Sequence, residues 1–368
     1  MGAILLILSL YAPAPSPSSH TTSPLSSQTS RSWPDTLADS SRQGIAYESL
    51  SDALRYDRIQ GLSLGLGYRL RLSVFGSAAL QGTVRYGLSD ERVTGRLSFL
   101  REAPRGRLQI SGYREISNFD PFALGRGFGN TLDALFAGHD NGDYSLVHGG
   151  SLGFETSVAT GLDAGFGVSV QREASVGRVA KSAVNDFLGG TGEFPANPPI
   201  ANGTYGGLWV RLDGYGRRRW SVTADLQAGE GRSTGRVYGR IRQGVGGRRG
   251  LTLEAKAGLA TTPTLPQSLF RLGGVTTVRG FEYGTLRGQA FWTVRLDITP
   301  FRGRLRPVAF ADAGQAARAE DLFSSKALVG AGVGLSLFHG VLRFDLSHPI
   351  SPDLGGKVRF DIVVQAVR

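Results

Sequence analysis

The stretch that decides the fold is Leu62-Ser63-Leu64-Gly65-Leu66-Gly67-Tyr68-Arg69-Leu70-Arg71-Leu72-Ser73-Val74. Leucine, tyrosine and valine occupy every second position, and serine, glycine and arginine fill the positions between. A period of two belongs to an extended strand with one apolar and one polar face. The run is longer than the five or six residues usual for a globular strand and reaches the ~9–11 that cross a bilayer at a tilt. The pattern returns in Trp220 to Ala228, Leu251 to Leu259, Leu342 to Leu346 and Val358 to Ala366. Taken together, their polar faces mix cations with carboxylates, such as Glu254 with Lys256 or Arg343 with Asp345. A soluble antiparallel sheet with one wet face is the competing reading. The strand lengths, the charges of both signs and the near absence of helical periodicity favour a barrel with an aqueous interior.

Alternating segments lie at 60–74, 77–87, 92–101, 107–117, 147–158, 161–173, 204–214, 218–229, 234–245, 250–260, 288–300, 305–315, 326–338, 340–349 and 357–368. That is fifteen, and single-chain bacterial barrels have even numbers, so one strand is missed or merged and sixteen are expected. The fold class is therefore all-β, a transmembrane antiparallel β-barrel of sixteen strands over residues 57–368. Long connections at 118–146, 174–203 and 261–287 are expected outside the cell, and short turns in the periplasm. Upstream, residues 1–15 have the size and apolarity of a signal peptide, though without its positive n-region. Residues 16–56 read as a Ser/Thr/Pro-rich disordered linker with one short helix over 46–56.

Composition agrees. The 368 residues include 53 glycines and no cysteine, with 41 basic against 30 acidic side chains and a net charge of +11. Without cysteine there are no disulfides, thiolate metal sites or cysteine nucleophiles. No apolar run is long enough for a transmembrane helix. The cations are arginines apart from Lys181, Lys256, Lys326 and Lys357, and they are spread along the chain rather than clustered, which argues against nucleic acid as a partner.

The most specific segment is Leu265-Pro266-Gln267-Ser268-Leu269-Phe270-Arg271-Leu272-Gly273-Gly274-Val275-Thr276-Thr277-Val278-Arg279-Gly280-Phe281. It resembles the loop-six signature of the outer-membrane assembly factor and bacterial surface antigen superfamily, which includes BamA- and TamA-like insertases and two-partner secretion transporters. The resemblance rests on Val278, Arg279, Gly280 and Phe281, on a barrel-wall motif of Phe310, Asp312 and Gly314, and on a glycine-rich strand with Gly330, Gly332 and Gly334. The motifs cover residues 250–368 in family order. The resemblance implies a loop folded into the barrel with Arg279 meeting Asp312. It also implies a role in inserting or translocating protein at the outer membrane, with outer-membrane lipid, unfolded polypeptide clients or a separate periplasmic partner as contacts. The chemistry is reasonable on its own terms, since an arginine fork in a partly dehydrated lumen needs a carboxylate. Alternatively, Arg279 is an exposed loop arginine and Asp312 pairs with another luminal cation. The family's periplasmic POTRA modules find no room in the residues before the barrel, and the chain ends Gln365-Ala366-Val367-Arg368 without a terminal aromatic. These departures open a second expectation: a passive pore or membrane anchor serving a separately encoded soluble domain.

Catalytic and metal readings are weak. Gly61-Leu62-Ser63-Leu64-Gly65 and Gly149-Gly150-Ser151-Leu152-Gly153 fit the nucleophile-elbow spacing, but both serines lie inside strand patterns instead of a strand-to-helix turn. Gly125 to Gly129 and Gly244 to Gly247 lack the helix that phosphate cradles require. His139-Asp140-Asn141-Gly142-Asp143 carries hard-metal donors but too few of them, and reads as a loop turn. His20, His139, His148, His339 and His348 form no ligand pair at helical spacing, so neither a metal nor a cofactor is expected. Trp220 and Trp292 fit interfacial girdles on the lipid face.

Overall fold

The computed structural model describes residues 43–364 apart from 48–49, 73–76, 125–126, 188, 246–249, 262–263 and 302. The signal segment 1–15, the linker up to residue 42, Gly125, Gly246, Gly247 and Gln365–Arg368 lie outside the described residues. The main sheet has 17 strands, one of which is only Gly44–Ile45; the remaining sixteen are the wall. In chain order they are β1 (Leu54–Asp57), β2 (Gly61–Leu72), β3 (Ala78–Gly87), β4 (Val93–Ala103), β5 (Gly106–Asn118), β6 (Tyr144–Ala159), β7 (Leu162–Ser175) and β8 (Gly203–Gly214). Then come β9 (Arg218–Gly229), β10 (Arg232–Val245), β11 (Gly250–Ala260), β12 (Ala290–Thr299), β13 (Leu305–Ala317), β14 (Leu328–Leu337), β15 (Leu342–Pro349) and β16 (Arg359–Val364). Each strand pairs antiparallel with the next from β1 through to β16.

The strand that periodicity missed is β1. All of β1 but Asp57 belongs to the 46–56 segment expected to be helical, of which, among the described residues, Leu50–Ala53 alone forms a turn of helix. Four residues are too few to display a period, and β1 is specified by its neighbour: Leu54 to Asp57 pair with Leu64 to Gly61 of β2. Gly44–Ile45 extends the same edge opposite Arg69 and Tyr68.

The alternation has the physical meaning expected of it. Ser63 is fully buried and Arg69 is 6% exposed, while Leu64 and Leu66 expose 52% and 58% of their surface. The inward face is polar and the outward face is apolar, as a lipid-facing wall requires. Register keeps the inward face aligned from β2 to β7: Arg69 lies opposite Gln81, Gln81 opposite Ser98, Ser98 opposite Ser111, Ser111 opposite Ser151 and Ser151 opposite Ser169, the one shift in these ladders falling at Ser157–Ala159 by the turn. Trp220 and Trp292 both point outward, near opposite ends of the wall. The 119–143, 176–202 and 261–289 connections all leave one end, and the opposite end carries only short turns.

Candidate functional site

The lumen is not uniformly polar. The 261–289 connection returns into the barrel and brings its own apolar core, in which Phe270, Leu272, Val278 and Phe281 are at most 1% exposed. Phe122 of the 119–143 connection and Tyr238 and Phe291 of the wall complete it. Phe270 lies 4.6 Å, centroid to centroid, from Phe291, and Phe122 lies 5.6 Å from Tyr238. A Cβ on Gly258 would sit 2.7–2.8 Å from Phe291, Phe270 and Tyr238, so glycine there makes room for the rings.

Beyond this core the loop tip is tied to the wall by charge. The Arg279 guanidinium is buried and forms a fork on Asp312, with Nε and Nη2 each donating over 2.6 Å. Its backbone N–H donates to the same carboxylate at 3.1 Å. Nη1 reaches Asp297 at 3.0 Å and Asp345 at 3.3 Å. Arg343 donates to Asp345 at 2.6 Å and to Asp297 at 3.1 Å, and Arg295 lies 3.5 Å from Asp312. Three carboxylates thus face three guanidiniums, with Arg279, Asp312 and Asp345 buried at the centre and Asp297 and Arg295 partly exposed at the edge. Burial alone would weaken the charge on Arg279, but Asp312, Asp297 and Asp345 outweigh it and hold the group protonated. The guanidinium also stacks over the Phe310 ring, 3.6 Å from its centroid.

The remaining motif residues make this approach sterically open. A Cβ on Gly330 would be 2.0 Å from the Arg279 carbonyl, and one on Gly332 would be 2.5 Å from the Phe310 ring. One on Gly334 would be 2.1 Å from the Asp345 carboxylate, and one on Gly314 would be 3.0 Å from Leu272. Gly280 has φ +92 beside the His348–Pro349 backbone, a conformation that favours glycine. Phe281 is fully buried next to it. All ten motif residues therefore gather around one loop tip and the wall it touches.

A second anchor went unread in the sequence. Arg271 Nε donates to Asp143 at 2.5 Å, and Arg58 Nη2 donates to the other oxygen of Asp143 at 2.6 Å. Arg58 lies in the turn after β1, so Asp143 bridges the loop to the first strands of the barrel. Tyr283 adds a hydrogen bond to Asp120 at 2.8 Å. The sequence signal was only the acidic turn at 139–143, here resolved as ion-pair partners: Asp140 accepts from the Arg58 N–H at 2.8 Å and from Tyr144 at 2.6 Å. Among the described residues no group of three or more potential metal ligands exists.

Between β1 and β16 sits a helix, α1 (Phe128–Leu132), continuing as a π-turn over Asp133–Ala137. Thr131 Oγ1 accepts the Tyr56 N–H of β1 at 3.2 Å, and the Asp133 carboxylate accepts the Ile362 N–H of β16. Two edge-strand donors that would otherwise seek a ladder partner are thus satisfied by side chains of one helical segment. A Cβ on Gly129 would be 2.9 Å from the Val364 nitrogen, so α1 packs directly on the last strand. His139 Nδ1 lies 3.1 Å from Asp361 of β16. The Asp133 carboxyl is raised well above the usual carboxylate range by burial and then by Asp361.

The two elbow-like serines are structural. Ser63 accepts from Arg85 Nη1 at 3.0 Å, and Ser151 stands mid-strand opposite Ser111 and Ser169.

Comparison with known proteins agrees with this geometry. The haemolysin secretion/activation family ShlB/FhaC/HecB matches residues 246–337. A family of unknown function, the DUF5686 C-terminal domain, matches residues 33–202. No curated protein matches. Among solved structures, BamA from Haemophilus ducreyi lacking POTRA domains 1–3 superposes with a TM-score of 0.60 at 12% identity, covering 84% of this chain and 68% of that one. CdiB from Acinetobacter baumannii gives a TM-score of 0.47 at 14% identity, covering 88% of this chain and 59% of that one. CdiB from Escherichia coli gives 0.47 at 14%, covering 88% and 62%. This chain therefore spans about six-tenths of the CdiB structures. It shares the β-barrel fold of that BamA, and its 246–337 segment is similar to the haemolysin secretion/activation family.

Proposed function

We propose that this barrel inserts or translocates polypeptide at the outer membrane, with the 261–289 loop as its internal strut and the β1–β16 seam as its moving part. The observation that carries the reading is the double anchorage of the loop. Arg279 is held by Asp297 of β12, Asp312 of β13 and Asp345 of β15, on the C-terminal side of the seam. Arg271 reaches the N-terminal side through Asp143 and Arg58. A loop fastened on both sides blocks the lumen and braces the seam together. Releasing α1 frees the Tyr56 and Ile362 donors, and edge strands with unpaired N–H groups accept an extended segment. The clients are unfolded polypeptides, delivered directly or through a periplasmic partner on another chain.

The test is reconstitution of the full chain into liposomes, followed by folding of an unfolded outer-membrane barrel protein into them. Faster folding than in protein-free liposomes, with crosslinks from client to β1 or β16, is the expected result. Ion conductance with neither acceleration nor crosslinks would contradict it and identify a passive pore or anchor instead.

A further inference from the structure

The positive charge of this protein is placed unevenly along the barrel axis. At the long-loop end, exposed cations and carboxylates neutralise one another, as in Arg178 and Lys181 with Glu193 at 3.7 Å each, and Lys326 with Asp353 at 3.6 Å. At the short-turn end, Arg101, Arg105, Arg217, Arg218 and Arg304 are exposed; the carboxylates there are half-buried and engaged, Glu102 with Arg107 at 3.8 Å and Asp163 with Ser157 at 2.7 Å, and every exposed carboxylate among the described residues lies at the other end. No ion pair holds any of these five among the described residues. They sit in three turns, β4–β5, β8–β9 and β12–β13. These are four strands apart on a sixteen-stranded wall, so the charges stand at three points spaced a quarter-circumference apart.

Their depth is set by their neighbours. Arg101 and Arg218 are on the outward, lipid-facing parity of β4 and β9. Arg218 is two residues from outward-facing Trp220, and Arg304 adjoins Leu305, with Phe301 at 65% exposure in the same turn. Apolar and aromatic side chains next to arginines mark the boundary between acyl chains and headgroups. Short turns face the periplasm.

We propose that the short-turn end is a docking ring for anionic phospholipid headgroups of the inner leaflet of the outer membrane. A single acidic protein would fit a patch on one side, whereas a ring at headgroup depth fits a leaflet that surrounds the barrel. Each guanidinium offers a planar fork to a phosphate. The ring fixes the barrel's vertical position and gathers anionic lipid around it, independently of what the lumen carries.

The experiment uses the full chain in bilayers of phosphatidylcholine with a fixed fraction of phosphatidylglycerol. Either lipid is brominated high on its acyl chains, and quenching of Trp220 is isolated by subtracting the Trp220→Phe variant. Brominated phosphatidylglycerol should quench more than its mole fraction dictates, with a local enrichment of about fivefold for one nearby cation at low salt. The excess should vanish in Arg217→Gln/Arg218→Gln and fall steeply with ionic strength. Native mass spectrometry should show fewer retained phosphatidylglycerol molecules when all five arginines become glutamine, with the heat-modifiable gel shift retained. Equal quenching by the two brominated lipids, or lipid retention unchanged in the five-fold variant, overturns the proposal. So does an acidic peptide binding the ring in bilayers where the two lipids quench alike.

Discussion

The two arginine anchors of the internal loop are both buried and both ion-paired, yet they are built differently. Arg279 meets rigid wall: its carboxylates project from β12, β13 and β15, whose register places Arg295 opposite Asp312 and Asp345 opposite Asp361. Arg271 meets another loop, and its carboxylate, Asp143, is shared with Arg58. A wall site cannot follow a departing arginine: without Arg279 the buried Asp312 loses both short guanidinium bonds and is left with Arg295 at 3.5 Å, while Asp297 and Asp345 keep Arg343. At the loop site Asp143 keeps a cation when Arg271 is lost. The wall anchor is therefore the strong one, and the loop anchor is the one able to let go.

The largest expected effect comes from Arg279→Ala. Uncompensated buried charge costs about 3–5 kcal/mol, read as a lower urea midpoint of the heat-modifiable form. Arg271→Ala should cost less, about 1–3 kcal/mol, because Arg58 still satisfies Asp143. Equal losses for the two would erase the difference between the anchors. Gly330→Ala tests the close approach of the tip, since its Cβ would stand 2.0 Å from the Arg279 carbonyl. Overpacking of this kind costs about 1–3 kcal/mol. Gly112→Ala, with nothing within 4 Å of the added Cβ, should be silent in the same assay.

The same contrast explains what could be read from residues alone. Asp312, with Gly330, Gly332 and Gly334, obeys strand spacing and falls on the inward face by period-two alternation, whereas Arg279 sits in the loop and was legible only through the motif it shares with the superfamily. Asp143 with Arg271 obeys no period. They are 128 residues apart on two irregular connections, and only the folded lumen brings them together. Asp297 and Asp345 lay between these cases: their inward parity was visible in the alternation, but not that both would turn to the same guanidinium. The short β1 and the helix α1 were hidden because four or five residues cannot show a period. The position of β1 follows from its pairing with β2, and that of α1 from the two edge donors that its segment satisfies.

The smallest expected effects concern the seam. Thr131→Val removes one acceptor from an edge N–H and should cost about 1 kcal/mol, seen as faster amide exchange at Tyr56 without a change at mid-wall amides. The Asp133 carboxyl is raised by burial and by Asp361, with the Ile362 N–H and Arg359 opposing and Asp345 adding. The folded clasp therefore binds a proton more tightly than the unfolded chain does. Its stability is fullest at low pH and declines as pH rises through the raised value. Protection of the Ile362 amide should fall toward alkaline pH, and Asp133→Asn should flatten that dependence. An opposite slope would contradict the assignment of this proton to Asp133.

The most direct measurement of the central claim is single-channel conductance of the full chain in planar bilayers, comparing wild type with Arg279→Ala and Asp312→Ala. A loop that is held in the lumen by this pair predicts a mostly closed wild type and large, frequent openings in both variants, with folding verified by the heat-modifiable shift. Folded variants that conduct as the wild type does would contradict it.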